Sequence, residues 1–280
     1  MLPLVVEDSE LQLAPDVGGS IAAWRWRGND LLRAGDPASG PLALGSFPLV
    51  PFSNRIAAGR FVAHGRPVTL APNHHADGRA QTLHGFGWQA AWDVADCGPD
   101  QARLVLHHAA GAWPWAFTAQ QHFALRPAGL TLTLLLTNDA DSAMPGGVGI
   151  HPYFPRAGAV LDMQVDGRWD SDDACLPTRW RPLASPPPWL NGEAMDHGFT
   201  GRRGPITIDW PTHRLVMTPS ATLAHTIVYA PPNADYFCVE PVSHMTNAVN
   251  RPEPAQVTGL TWLAPGETMT ARIDFALTAN

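Results

Sequence analysis

Residues 117–137 read FTAQQHFALRPAGLTLTLLLT, and this stretch predicts the class of the fold. Between Phe117 and Leu125 apolar and polar side chains alternate, which is typical of a strand with one buried face. PAG at 127–129 is a turn sequence. The run at 130–137 is almost continuously apolar, as in a central strand buried on both faces. The stretch therefore predicts an antiparallel β-hairpin whose second arm lies deep within a sheet.

The rest of the chain repeats this kind of short apolar or alternating run between turn residues. Because 25 Gly and 28 Pro are spread throughout, few stretches could continue as a helix for three turns. There is no strand–helix alternation of the kind that builds a parallel sheet. We therefore predict an all-β protein, a large antiparallel β-sandwich, with a closed barrel as the alternative. The further predicted strands cover residues 11–13, 20–26, 59–62, 103–107, 205–210, 214–218, 225–229 and 270–277.

Length and composition favour a single domain over residues 1–280. The chain is 45% hydrophobic, which is enough for a large core, and no internal repeat divides it. Residues 167–204 differ from their surroundings because they are rich in Pro, Asp, Arg and Trp. We expect this segment to be a long surface connection that borders a cleft.

The charged residues exclude several classes of mechanism. All 18 basic residues are Arg, so Schiff-base, pyridoxal-phosphate and P-loop chemistry that needs a lysine is excluded. The net charge of -7 provides no general electrostatic footprint for nucleic acid or an anionic membrane. We expect a small neutral ligand, with no nucleic-acid partner and no membrane.

The cysteines and the apolar runs bear on the cellular compartment. Cys97, Cys175 and Cys238 lie far apart and form no C-x-x-C motif, so we interpret them as ordinary thiols in a reducing compartment. The longest apolar run, LTLTLLL at 130–136, is too short to cross a bilayer, and the first residues lack the basic flank of a signal peptide. These features predict a cytoplasmic protein and leave its oligomeric state open.

Two polar motifs lie in the first third of the chain. Asn54-Arg55 follows an apolar, proline-broken stretch, and the arginine either satisfies loop carbonyls or presents its donors to a ligand. His84 precedes GFG at 85–87, where the glycines let a backbone or a ligand approach closely. A core histidine bonded to a carbonyl is the alternative for His84.

Two further motifs coincide with predicted strand ends. In GGVGIHPYFP at 146–155, Pro152 holds His151 extended at the mouth of a strand. Glu240 follows the apolar strand 236–239, where it either caps a loop or serves as a base whose pKa is raised by its apolar neighbours. An imidazole and a carboxylate in such places are candidates for general acid and base.

The 12 histidines also raise the hypothesis of a metal site. His74-His75 and His107-His108 are adjacent pairs, and neighbouring residues in a strand point to opposite faces, so neither pair readily chelates one ion. No H-x-H, H-E-x-x-H or H-x-E…C-x-x-C pattern occurs. The lone G-x-G at 85–87 lacks the third glycine of a dinucleotide site. We predict no metal and no cofactor.

Taken in chain order, these motifs resemble the galactose mutarotase (aldose 1-epimerase) family. The agreement lies in five places: NRI at 54–56, LHG at 83–85, HPYF at 151–154, CVEP at 238–241, and MDHGF at 195–199 as the aspartate-containing loop. The order and the approximate separations match across nearly the whole chain. The resemblance implies one large β-sandwich domain with an open active-site cleft on one sheet and no cofactor.

The resemblance also implies roles for individual residues. Glu240 falls at the general base of the family, His151 at the general acid and His84 at the second catalytic histidine. Arg55 and Asp196 match residues that hold sugar hydroxyls, and Asn54 lies beside the arginine in this substrate-binding set. We expect Glu240 as a carboxylate and His151 as an imidazolium, which predicts a bell-shaped dependence of rate on pH.

The sugar is less closely defined than the family, and other functions compete. Phe86 stands where well-studied galactose mutarotases have a second glycine after LHG, and relatives act on free hexoses or on hexose 6-phosphates. A non-catalytic sugar sensor on this fold would need no acid–base pair, and a glycoside hydrolase would need two opposed carboxylates. The candidate cations for a phosphate group are Arg66, Arg79, His74 and His75.

Overall fold

Strands dominate the residues that the structure, a computed structural model, describes: 1–76, 79–191 and 194–280. The strands are β1 (Leu2–Val6), β2 (Ser9–Ala14), β3 (Ser20–Trp26), β4 (Asn29–Leu32), β5 (Pro48–Leu49), β6 (Arg60–Ala63), β7 (Arg66–Thr69), β8 (His74–Ala76), β9 (Arg79–Gln81), β10 (Asp93–Cys97), β11 (Gln101–His108), β12 (Phe117–Arg126), β13 (Gly129–Asn138), β14 (Met144–Gly146), β15 (Gly149–Ile150), β16 (Tyr153–Pro155), β17 (Val160–Gln164), β18 (Gly167–Ser171), β19 (Pro177–Pro182), β20 (Met195–Thr200), β21 (Arg203–Asp209), β22 (His213–Pro219), β23 (His225–Ala230), β24 (Tyr236–Val242), β25 (Thr261–Leu263) and β26 (Thr268–Ala279). The helical elements are α1 (Ala255–Thr258) and 3-10 turns at Pro37–Ser39, Pro41–Ala43, Ala57–Gly59, Gly87–Gln89 and Ala248–Asn250. The all-β prediction is confirmed, and each of the stretches predicted as strands overlaps an observed one.

The predicted hairpin at 117–137 is formed by β12 and β13. Arg126 pairs with Gly129, so the turn itself consists of two residues. The second arm is central, as predicted, because β13 lies between β12 and β26. The expectation that both of its faces are buried is wrong in part. The even-numbered leucines enter the core, whereas Thr133, Leu135 and Thr137 on the opposite face are only half-buried.

Two large antiparallel sheets form the body of the fold. The first has the order β10-β11-β12-β13-β26-β22-β21-β17, and the second has β19-β18-β20-β23-β24-β15-β5 with β16 also pairing with β24. In the described part of the chain both are open sheets with edge strands, which excludes the closed barrel. Buried apolar side chains from both sheets, such as Phe275 and Phe237, join one core cluster. This arrangement is the predicted β-sandwich.

Side chains along β24 alternate between the two faces of the second sheet. Phe237 and Val239 join the core cluster between the sheets. Cys238 packs in a separate buried cluster with Phe47 and Tyr153, and Glu240, two residues on, points to the same side. Glu240 does not end the strand as predicted, because β24 continues to Val242.

The interpretation of residues 167–204 as a connection is wrong, because the segment contains β18, β19 and β20. The pairs β18–β19 and β18–β20 join it to the second sheet. Apolar residues are sparse in these strands, so they carry little of the periodicity that reveals a strand. The expectation that the segment borders a cleft is met by the loop between β18 and β19. No helix in the described ranges is long and apolar enough to cross a membrane.

Candidate active site

An open cleft of about 500 Å³ lies on the face of the second sheet to which Glu240 points. The structure brings all of the predicted site residues to this cleft: Asn54, Arg55, His84, His151, Asp196 and Glu240. They come from β20, β24 and loops around β5, β9 and β15, which are far apart in sequence. The remaining lining side chains are Leu42, His74, Gln81, Leu83, Tyr153, Asp173, Cys175, Tyr229 and Tyr236.

Glu240 and His151 form a buried pair at the base of the cleft. Nε2 of His151 lies 3.3 Å from Oε1 of Glu240, and the two side chains are only 8% and 2% exposed. The imidazole packs against the rings of Phe47 and Tyr153, whose centroids each lie 4.7 Å from its own and 6.2 Å from each other. Oε2 of Glu240 has no hydrogen-bond partner among the described residues, so it is left for a ligand.

Burial favours the neutral forms of both members of the pair. It raises the pKa of Glu240 well above the ordinary 4.5, and the negative charge of Asp196 acts in the same direction. It lowers the pKa of His151 to about 3, with the positive charges of Arg33 and Arg55 adding to the effect. Both shifts favour the arrangement in which the one proton of the pair lies on Glu240 and His151 is neutral. The expected carboxylate and imidazolium also hold one proton in total, so the two arrangements differ only in where that proton lies.

His84 is fixed as one neutral tautomer by its hydrogen bonds. The backbone N–H of Asn54 donates to Nδ1 of His84 at 3.0 Å, and the N–H of His84 donates to the carbonyl of Asn54 at 2.9 Å. Burial lowers the pKa of His84 well below 6.5, and the charges of His151, Arg55 and His74 act in the same direction. Since Nδ1 is an acceptor, the ring proton is on Nε2, which makes His84 a donor to the cleft.

Arg55 is held by two side-chain acceptors. Its Nε donates to Oε1 of Gln81 at 3.0 Å, and its Nη1 donates to Oδ1 of Asn54 at 3.0 Å. The same Oδ1 also accepts from the backbone N–H of Arg55 at 2.9 Å. Asn54 adopts a left-handed conformation, with φ of 59°, which asparagine tolerates better than most residues. These contacts present a half-buried guanidinium to the cleft in a fixed orientation.

A further group of lining residues combines a carboxylate with tyrosine rings. Asp196 on β20 pairs in register with Tyr229 on β23. The guanidinium of Arg33 lies over the rings of Tyr153 and Tyr236, at 4.0 Å and 4.7 Å from their centroids. This group therefore offers a carboxylate acceptor for hydroxyl groups, beside tyrosine rings that are covered by a guanidinium.

Several residues that line or support the candidate site were missed by sequence reasoning. Gln81 stands directly before the TLHG motif, and its position alone could have suggested a role. Phe47, which stacks on His151, is the first residue of the apolar stretch before Asn54 and resembles any core residue. Asp173 lies in the misread segment 167–204. Phe86, the departure from the family pattern, stacks on His108 at 4.8 Å instead of lining the cleft.

Solved structures share this fold along the whole chain. A candidate aldose 1-epimerase from Escherichia coli K12 superimposes with a TM-score of 0.88 at 28% identity, covering 100% of this chain and 99% of the other. A galactose mutarotase-like protein from Clostridium acetobutylicum gives a TM-score of 0.87 at 19% identity, covering 99% and 95% of the chains. The fold is therefore that of the galactose mutarotase-like proteins.

The family follows from sequence comparison. The aldose 1-epimerase family model matches residues 10–276, and YphB of Escherichia coli K12 is 33% identical over 92% of each chain. The chain belongs to the aldose 1-epimerase family. Family and fold together support an enzyme of the epimerase class with a small-molecule sugar as its substrate.

Proposed function

We propose that the protein is an aldose 1-epimerase that interconverts the α and β anomers of a free aldohexose such as galactose or glucose by acid–base ring opening. The observation that carries the proposal is the buried contact of 3.3 Å between His151 Nε2 and Glu240 Oε1 in an open cleft. Mutarotation requires one proton to leave the anomeric hydroxyl and one to reach the ring oxygen. An adjacent base and acid supply both transfers.

Ring opening uses the proton held by the Glu240–His151 pair at each step. Transfer from Glu240 to His151 produces the carboxylate and the imidazolium. Glu240 then takes the proton of the anomeric hydroxyl while His151 donates to the ring oxygen, and the C1–O5 bond breaks to give the open-chain aldehyde. The pair is now the neutral arrangement that burial favours, with its proton on Glu240. Rotation about C1–C2 and reversal of both transfers closes the ring as the other anomer.

Neighbouring groups stabilise the charge that develops on the sugar and hold the sugar in position. The Nε2–H donor of His84 and the guanidinium of Arg55 stabilise negative charge that develops on the sugar oxygens. Asp196 accepts from hydroxyls distant from C1, and Asn54 contributes by orienting Arg55. In this scheme Glu240, His151 and His84 are the catalytic residues, and Arg55, Asn54 and Asp196 bind the substrate.

The charges around the cleft favour a neutral sugar over a hexose 6-phosphate. Among the described lining side chains, the carboxylates of Asp173 and Asp196 accompany the guanidinium of Arg55. Of the cations considered for a phosphate, His74 lines the cleft, whereas the side chain of Arg79 lies outside the described part of the structure. Carboxylates that line the same cleft would repel a phosphate dianion.

Polarimetry of fresh α-D-galactose, α-D-glucose and glucose 6-phosphate tests the proposal. We expect faster approach to anomeric equilibrium for the free hexoses than for the phosphate. Binding without acceleration would indicate a sugar sensor, and release of reducing sugar from a glycoside would indicate a hydrolase. Pairing of Glu240 with an imidazole, where a hydrolase uses a second carboxylate, supports the epimerase.

We further propose one domain over residues 1–280, supported by the family match over 10–276, and a cytoplasmic location.

A further inference from the structure

Residues 53–57, which we call the arginine segment, are held by hydrogen bonds from two sides. On one side lies His84, which exchanges two hydrogen bonds with the backbone of Asn54. On the other side lies the loop at 243–247, which follows β24 directly. The segment itself has little regular structure, so these contacts determine where Arg55 and Asn54 stand in the cleft.

His244 anchors the beginning of the arginine segment. Its Nε2 accepts the backbone N–H of Ser53 at 3.1 Å, and its Nδ1 donates to the carbonyl of Met245 at 2.8 Å. The side chain is buried, and burial lowers its pKa. The ring is therefore a neutral tautomer whose acceptor nitrogen faces Ser53. A buried N–H without this acceptor would cost free energy, so the contact constrains the backbone just before Asn54.

Asn247 holds the middle and the end of the segment. Its backbone N–H donates to the carbonyl of Arg55 at 2.9 Å, and its Oδ1 accepts the N–H of Ala57 at 3.0 Å. A further donor to the same Oδ1 is Nδ2 of Asn250, at 2.8 Å. Asn247 has φ of 58°, a left-handed conformation. In this conformation its backbone and its side chain both contact the arginine segment.

These contacts matter for the site because His244 and Asn247 lie close to Glu240 along the chain. Glu240 lies only four residues before His244 and seven before Asn247, on the strand that leads into their loop. The loop therefore ties the backbone of Arg55 directly to the strand of the base. Neither His244 nor Asn247 lines the substrate cleft.

We propose that His244 and Asn247 are positioning residues that fix Arg55 relative to Glu240 and thereby set the affinity for the sugar. This inference rests on the proposed function, since it assumes that Arg55 binds the sugar. Neither residue touches the reacting atoms, so each acts through Arg55 and its neighbours. Because a small displacement of a binding group weakens its hydrogen bonds to a ligand, the effect belongs mainly to binding.

Two substitutions of one residue separate positioning from general stability. Asn247→Gly keeps the left-handed backbone but removes the Oδ1 acceptor, whereas Asn247→Asp keeps an oxygen in that place. We expect Asn247→Gly to raise KM and the Kd for D-galactose about tenfold, the value of roughly one hydrogen bond, while kcat changes less. Asn247→Asp should remain close to wild type. Asn29→Gly, which removes the turn-capping contacts of Asn29 outside the cleft, is the matched control and should leave Kd unchanged.

A double-substitution cycle with Arg55→Met decides whether Asn247 acts through Arg55. If it does, adding Asn247→Gly to Arg55→Met weakens galactose binding no further. Independent, multiplying effects would overturn the inference, as would an Asn247→Gly variant with wild-type Kd. If Asn247→Gly does not fold, His244→Phe, which keeps a ring but removes the acceptor for Ser53, enters the same cycle with the same criteria. Calorimetric Kd values need no turnover, so failure of the epimerase proposal would be seen separately, as wild-type binding without acceleration.

Discussion

Nε2 of His151 lies 3.3 Å from Oε1 of Glu240, and both side chains are nearly inaccessible to solvent. This contact makes the two groups one titrating unit, because burial penalises either charge alone and a single proton satisfies the contact. The unit faces a cleft in which Oε2 of Glu240 has no partner among the described residues. It can therefore remove one proton from a ligand and deliver another without a net change of charge.

Replacing Glu240 by Gln removes the base but keeps the shape of the site. We expect Glu240→Gln to lower kcat for galactose mutarotation by at least about a hundredfold, because the amide cannot accept the hydroxyl proton. The Kd for the sugar should change little. Polarimetry and calorimetry measure the two quantities. Glu10→Gln, an exposed position on β2, is the control and should retain full activity. A Glu240→Gln variant as fast as wild type would refute the assignment of the base.

The dependence of rate on pH reports the one-proton unit. Only the form of the Glu240–His151 unit with one proton is active. The rate therefore falls at low pH, where the unit binds a second proton, and at high pH, where it loses its only proton. Because the pKa of His151 is lowered to about 3, we expect the acidic limb far below pH 6.5. The alkaline limb should lie well above 4.5, because the pKa of Glu240 is raised. Initial rates with circular dichroism at each pH separate titration from unfolding. An acidic midpoint near 6.5 would show that His151 titrates as an ordinary histidine.

The sequence predicted most of the long strands of the fold but few of the short ones. β12 and β13 show ten residues of alternation or continuous apolar character, which is enough to identify period and turn. β15 and β16, which flank His151, contain two and three residues, and no periodicity can develop over that length. Their conformation depends on pairing with β24, which is a tertiary contact. The strands within 167–204 were missed for a related reason, since few of their side chains face a core.

Motifs identified residues that line the candidate site, but not the protonation of these residues or the contacts that support them. Glycine or proline beside His84, His151 and Glu240 pointed to strand ends and close approaches. The tautomer of His84 depends on an N–H from Asn54, thirty positions earlier in the chain, which no local pattern encodes. The low pKa of His151 likewise depends on its burial, including its packing against Phe47 and Tyr153, which arises only once the sheets have packed.

Because the ring proton of His84 is fixed on Nε2, we expect His84 to donate a hydrogen bond to the substrate. His84 has φ of 59°, so Asn, which tolerates this conformation, is the substitution least disturbing to the backbone. We expect His84→Asn to lower kcat/KM by about a hundredfold, as the loss of one donor to a developing oxyanion does in other enzymes. His64→Asn is the matched control, because His64 is exposed, has φ of 50° and lies outside the cleft. Equal kcat/KM in the two variants would exclude a role for His84 in the reaction.

Burial of an ionisable carboxyl also predicts how stability varies with pH. In the native state the pKa of Glu240 is raised above the ordinary 4.5. Between 4.5 and the native pKa the unfolded chain loses this proton while the folded chain keeps it. The wild-type free energy of unfolding therefore falls by about 1.4 kcal/mol per pH unit in that window, relative to a variant that cannot titrate there. Well below pH 4.5 both states are protonated, and the difference between the two proteins no longer depends on pH.

We therefore expect Glu240→Gln to gain stability over wild type as the pH rises from 4 to 8, although it loses activity. Urea unfolding of both proteins at several pH values measures the difference, and Glu10→Gln should show no such trend. The sign of the trend is decisive. If Glu240 were a carboxylate paired with imidazolium in the native state, its pKa would be lowered, and wild type would instead gain on the variant as the pH rises through the native pKa toward 4.5. A pH-dependent gain by the variant thus distinguishes the neutral pair from an ion pair, independently of any measurement of catalysis.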